Sequence, residues 1–171
     1  MKLAKVFKEN KQFTLFSILA LVVVGVAVFA PQIAPYDPLD AVMLESLQAP
    51  SSAHPFGTDK LGRDLLSRVI FGTRTSLVMT LCLVAVIFVI GTFLGIIAGY
   101  FGGIVDGVIM RIADMMISFP GLVLAIAIAG MLGPNLVNAV ISIAAVSWTK
   151  YARLARSMVL RVKKNLYIEA A

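Results

Sequence analysis

The sequence predicts an all-α, polytopic integral membrane protein built as a helical bundle, and three observations carry that prediction. The 171 residues are 60% hydrophobic and only 14% charged, and their mean hydropathy is +0.95. A water-soluble domain of this size needs far more charged surface. The apolar residues also stand in long uncharged blocks of membrane-spanning length, about 20 residues each. Finally, the basic residues behind the net charge of +6 cluster beside those blocks. Such placement marks topology and does not indicate nucleic-acid binding.

The first block, 13–30, is an uncharged run of 18 residues. Lys2, Lys5, Lys8 and Lys11 precede it, as in a secretory signal peptide. However, the run exceeds the usual apolar region of roughly 7–15 residues, and Pro31 directly after Ala30 makes a poor cleavage site, so a retained anchor is favoured. Residues 75–105 form a second uncharged run, long enough to tilt. A third, 115–149, is interrupted by Gly133-Pro134-Asn135, a tight-turn signal. It is therefore expected to make two crossings, 115–132 and 136–149, with Lys150 snorkelling to extend the shorter one. The count is four spans.

Orientation follows from flanking charge. Residues 31–74 carry four basic and five acidic side chains, whereas both flanks of the four-span region are basic. The positive-inside rule places both visible ends in the cytoplasm, and an even span count agrees. The organisation expected is an anchor and extracytoplasmic segment over 1–74, then a membrane domain over 75–171. The outer segment holds five of the seven prolines before residue 56 and is expected to be irregular there. From Leu61, the spacing of Leu61, Leu65, Val69 and Ile70 predicts a short interfacial amphipathic helix, with Asp64 and Arg68 able to pair at i,i+4.

Chemistry-bearing residues are few. Cys82 and His54 are the sole cysteine and histidine, so neither a disulfide framework nor a zinc site from them is expected. No phosphate-cradling glycine motif is present, and no cofactor is expected. The segment from His54 to Arg68, with Gly57, Thr58, Asp59, Gly62, Arg63 and Asp64 in it, is the densest polar cluster. Its charges read as a network closing a surface loop, and with no nucleophile or metal set beside them they do not indicate catalysis. Gly91, Gly95 and Gly99 strip one stripe of a helix of side chains, which permits close helix packing. Arg111 and Asp114 stand at i,i+3, placed either to pair at the entrance to the third span or simply to anchor it at the interface. Pro120 is expected to kink that span, a feature useful in a gated pathway and common without one.

Four stretches together resemble one family. Phe56-Gly-Thr-Asp-Lys-Leu-Gly-Arg-Asp-Leu-Leu-Ser-Arg68 is similar to the extracytoplasmic motif of the C-type permease subunits of bacterial ABC importers for dipeptides, oligopeptides and nickel. Arg111-Ile-Ala-Asp-Met-Met-Ile-Ser-Phe-Pro120, Trp148-Thr-Lys-Tyr-Ala-Arg-Leu-Ala-Arg156 and Tyr167-Ile-Glu-Ala-Ala171 follow in that family's order. The resemblance implies a type I importer permease in the bacterial inner membrane, with six spans. Its implied partners are a second permease subunit, two cytoplasmic ATPase subunits that hydrolyse the ATP, and an extracytoplasmic substrate-binding protein, so the chain itself is not an enzyme. Glu169, Ala170 and Ala171 match the start of the family's ATPase-coupling helix. On this reading four spans of six are present and the sequence stops within the coupling motif, as a fragment or a truncated protein would. Peptide is the first expectation for cargo and nickel or a metal chelate the second. A small four-span scaffold protein is the alternative of another class.

Overall fold

The structure, a computed structural model, describes residues 10–169. Six α-helices account for most of them: α1 (Lys11–Val28), α2 (Ala30–Ile33), α3 (Leu65–Phe101), α4 (Gly103–Ser118), α5 (Gly121–Leu132) and α6 (Leu136–Glu169), with a 3₁₀ turn at Met43–Glu45. Among the described residues the only β feature is an isolated bridge between Thr58 and Asp64. The chain divides into two compact units at Val78–Met79, inside α3.

In the first unit, α1 is an 18-residue apolar helix, roughly 27 Å long at 1.5 Å per residue, which matches a hydrocarbon core of about 30 Å. Leu21 and Phe16 on it are exposed, as lipid-facing side chains are. The segment after α2 is irregular, as its prolines predict. The amphipathic helix expected from Leu61 is not separate. Residues 61–64 are a turn, and helix begins at Leu65 and runs without a break for 37 residues. Asp64 explains the start: its carboxylate accepts the Ser67 N–H at 2.7 Å, an N-cap that satisfies one of the helix's orphan donors.

In the second unit, two expected crossings take another form. The third breaks at Pro120. Proline lacks an N–H and pushes its predecessor into an extended conformation, and Phe119 lies at φ −89°, ψ 147°. Helices α4 and α5 therefore meet at a bend of 93°. At 16 and 12 residues they reach roughly 24 and 18 Å, so neither half crosses alone. The fourth expected span, 136–149, is the first part of α6, which continues to Glu169. Charged side chains from Lys150 onward make α6 too polar to qualify. Two helices, α1 and α3, are long and apolar enough to cross a membrane, or three crossings if the bent pair is one span. The membrane-helical class stands, and the segment expected to make the fourth crossing, 136–149, is the apolar first part of α6 rather than a helix of its own.

Candidate functional site

Four places hold the residues singled out by the sequence. The first is the outer loop before α3. Asp59 is its hub: the carboxylate accepts the N–H groups of Leu61 at 2.8 Å and Arg63 at 3.1 Å. Arg63 adds Nε at 2.8 Å, and Arg68 Nη1 reaches the same carboxylate. Burial alone would raise the Asp59 pKa, but the Arg63 side chain and the two backbone donors hold it well below the usual carboxylate range. Gly62 sits at φ +74°, where a Cβ would run into the Val42 carbonyl, so glycine is required twice over. Gly57, at φ +75°, packs in the same manner on Gln48. Thr58 accepts the Gln48 N–H at 2.9 Å and donates to the Glu45 carbonyl.

Asp64 belongs to a second, buried cluster that the sequence did not reveal. Besides capping α3, it accepts the Ser67 hydroxyl at 2.7 Å, and its Oδ1 lies 3.0 Å from His54 Nδ1. The His54 ring stacks at 4.9 Å on Tyr36, whose N–H donates to Ser67 Oγ at 3.1 Å. Burial raises the Asp64 pKa less than the Ser67 donors and His54 lower it, so the net direction is down. The expected Asp64–Arg68 pair does not form, because Asp64 precedes the helix and turns back onto it, leaving Arg68 to Asp59. An Asp three residues before Ser at the head of an apolar helix was the available signal for the cap. His54 heads the same polar stretch of sequence, but nothing local paired it with Asp64.

The third place is the seam between α3 and α6. A Cβ at Gly91 would lie 2.5 Å from the Trp148 carbonyl oxygen, one at Gly95 would strike the Ala152 carbonyl, and one at Gly99 would lie 3.1 Å from the Arg156 carbonyl. Residue number rises together on both helices, so α3 and α6 run parallel. Phe88 and Tyr151 meet edge-to-face at 6.0 Å beside the seam.

The fourth place is the junction of α4, α5 and α6. The Pro120 break opens a mainly apolar cavity of about 440 Å³, lined by Phe119, Leu122, Ala125, Val146, Ser147 and Lys150 among others. Arg111 and Asp114 do not pair with each other. Asp114 instead joins Arg153 of α6, and Arg111 is exposed on α4. Asp106 and Arg156, which the sequence reading passed over, form a bidentate pair from α4 to α6, with Nε–Oδ1 and Nη2–Oδ2 both at 2.5 Å. Glu169 closes α6, while Ala170 and Ala171 lie outside the described residues. Among the described residues no group of three or more His, Cys, Asp or Glu side chains is arranged to hold a metal ion.

Residues 91–171, which contain the seam, the cavity and the end of α6, match the profile of the binding-protein-dependent transport system inner membrane component. This part of the chain is similar to that family. Residues 2–50 match a second profile, the N-terminal TM domain of oligopeptide transport permease C. Similar curated proteins include a probable D,D-dipeptide transport system permease protein of Escherichia coli, 41% identical over 99% of this chain and 57% of its own length. A dipeptide transport system permease protein of Haemophilus influenzae is 37% identical over 96% of the chain and 58% of its own. A glutathione transport system permease protein of Pectobacterium atrosepticum is 42% identical over 88% and 50% respectively. The chain thus spans about half the length of these relatives. Its apolar helices together with this likeness make it a multi-pass helical membrane protein.

Proposed function

We propose that this protein is a permease subunit of an ATP-driven, binding-protein-dependent importer of short peptides. It contributes half of a translocation pathway, and a second permease subunit contributes the other half. Two cytoplasmic ATPase subunits dock at the end of α6, and an extracytoplasmic binding protein delivers cargo. The observation that carries the reading is α6 itself. One continuous helix is clamped by the glycines of α3, lines the α4–α5 cavity, and reaches Glu169, where the Glu-Ala-Ala sequence begins. A rigid rod joining a pathway cavity to a docking motif is what coupled transport requires. Peptide is preferred to nickel as cargo because the relatives are named for dipeptides and glutathione, and the described residues offer no cluster of metal ligands.

The orientation proposed has the N-terminus and the far end of α6 in the cytoplasm and the 31–64 segment outside. The lysines before α1 and the basic run after Lys150 support it. So does the parallel course of α3 and α6, since both then descend toward the cytoplasm. In a Cys82→Ser background, Ser52→Cys is expected to react with a membrane-impermeant maleimide in intact cells, and Ser157→Cys only after the cells are opened. The reverse pattern would overturn the orientation.

The functional test is Glu169→Arg in the assembled importer. Uptake of labelled dipeptide is expected to fall about tenfold, the size of a typical coupling energy, while the subunits still co-purify. Unchanged uptake per ATP hydrolysed would reject the coupling role.

A further inference from the structure

Three helices converge on Arg156. Its carbonyl oxygen faces Gly99 of α3, with 3.1 Å to the position a Cβ would take there. Its guanidinium grips Asp106 of α4 with two hydrogen bonds of 2.5 Å each. Paired forks of this kind are the most directional ion pairs proteins make. The pair is also sheltered, with side-chain exposures of 34% for Arg156 and 18% for Asp106. The neighbouring Arg153–Asp114 pair is exposed at 48% and 60% and is screened accordingly.

What α4 is attached to makes this grip consequential. Gly102 and Gly103 precede or open the helix at φ +64° and +52°, and the extended Phe119 and Pro120 follow it. Helix α4 is therefore a 16-residue rod between two joints where the helical hydrogen-bond ladder is interrupted. Its lower half is tied to α6 by Asp106, and its far end forms one wall of the 440 Å³ cavity through Met116 and Ile117. Helix α6 has no glycine or proline between Leu136 and Glu169 and runs unbroken. Glu169 lies 169 − 156 = 13 residues beyond Arg156, roughly 20 Å along one rod.

We propose that Arg156 is a positioning residue that, through Asp106, converts a displacement of the Glu169 end of α6 into a swing of α4 about its two joints, and so changes the cavity. The proposal deepens the importer reading given above and rests on it for the source of the displacement. It assigns the transmission to one ion pair whose members lie fifty residues apart.

Charge reversal in the assembled importer tests it. Asp106→Arg and Arg156→Asp are each expected to lower peptide uptake about tenfold while ATP hydrolysis stimulated by loaded binding protein persists. The double reversal is expected to restore uptake, because it re-forms the pair with opposite polarity. Single reversals that transport normally would overturn the proposal, as would uptake and hydrolysis falling together in all three variants, the mark of a merely structural pair. A second measurement needs no transport. Spin labels at the exposed Val108 and Leu154 positions in a Cys82→Ser background report the α4–α6 separation. Each single reversal is expected to broaden that distribution and the double to narrow it again, and an unchanged distribution would also overturn the latch. If the wild-type assembly imports no peptide while the distributions respond as described, the importer reading fails and the latch stands.

Discussion

Replacing Gly95 with leucine is expected to destroy the packing of α3 on α6. The position has no side chain because the Ala152 carbonyl and the Ala155 Cβ already occupy the space, the latter 2.8 Å from where a Cβ would stand. Both obstacles are backbone or the first atom of a side chain on a rigid helix, so no rotamer change relieves them. Overpacking of this kind costs up to ~3 kcal/mol even where neighbours can give, and small residues at such spacing are what allow membrane helices to approach closely. The variant is expected to lose its monodisperse elution in mild detergent and to unfold at a markedly lower temperature. Gly130→Ala in α5 is the control, since nothing lies within 4 Å of its Cβ position, and it is expected to behave as wild type or better. If Gly95→Leu matches that control, the seam is not a close-packed one.

The glycine ladder was legible because its signal is local: three glycines at a spacing of four lie on one stripe whatever they face. Its partner was not, since nothing in residues 91–99 specifies Ala152 or Arg156, and the pairing is a product of the tertiary fold. The anchor helix was legible for a similar reason, as an uncharged run fixes its own length. In the run 115–149 the kink at Pro120 and the turn at Gly133-Pro134-Asn135 were legible from residue type, but hydropathy has no term for backbone and could not show the size of the bend. Pro120 ends α4 by removing a donor and forcing Phe119 extended, and an apolar average over 115–132 cannot register that. Beyond Thr149 charge marks the end of an apolar crossing and not of the helix, since α6 continues through Lys, Arg, Leu and Ala residues that favour helix.

The charged residues show the same division. Asp59 and Arg63 stand close in sequence, and their network was readable. Spacing allowed Arg111 to pair with Asp114 and Asp64 with Arg68, and neither pair forms, because i,i+4 and i,i+3 rules rank only neighbours on one helix. Asp114 has a better partner across the interface in Arg153, and Asp64 is not on the helix at all. A pattern rule identifies which residues can pair and leaves open which geometry wins.

Asp64→Ala is expected to open the outer loop. Asp64 is 3% exposed, and its carboxylate accepts two hydrogen bonds from Ser67 while facing His54. Its loss removes the cap of α3 and leaves a buried histidine and hydroxyl without their acceptor, a cost of about 3 kcal/mol for bonds to a charged group. An opening equilibrium shifted by that much is roughly a hundredfold more populated, so tryptic cleavage after the exposed Lys60 is expected to accelerate by about that factor where closing outpaces cleavage. Cleavage at the wild-type rate would mean that the cluster does not hold the loop. Acid probes the same bonds without mutation. Asp59 and Asp64 both have native pKa values below the ordinary carboxylate value, so the unfolded segment binds protons first as pH falls. Their stabilisation is therefore complete above about pH 5, and it is lost as pH drops from the ordinary carboxylate value to the lowered native values. Hydrogen exchange of peptides covering 57–67, corrected for its intrinsic pH dependence, is expected to show undiminished protection down to about pH 4 and loss beneath it. Asp64→Asn keeps the shape of the side chain but cannot carry its charge. It is expected to begin with weaker protection and to lose less of it in acid, whereas an acid response equal to the wild type's would place the titrating stabilisation on Asp59 alone.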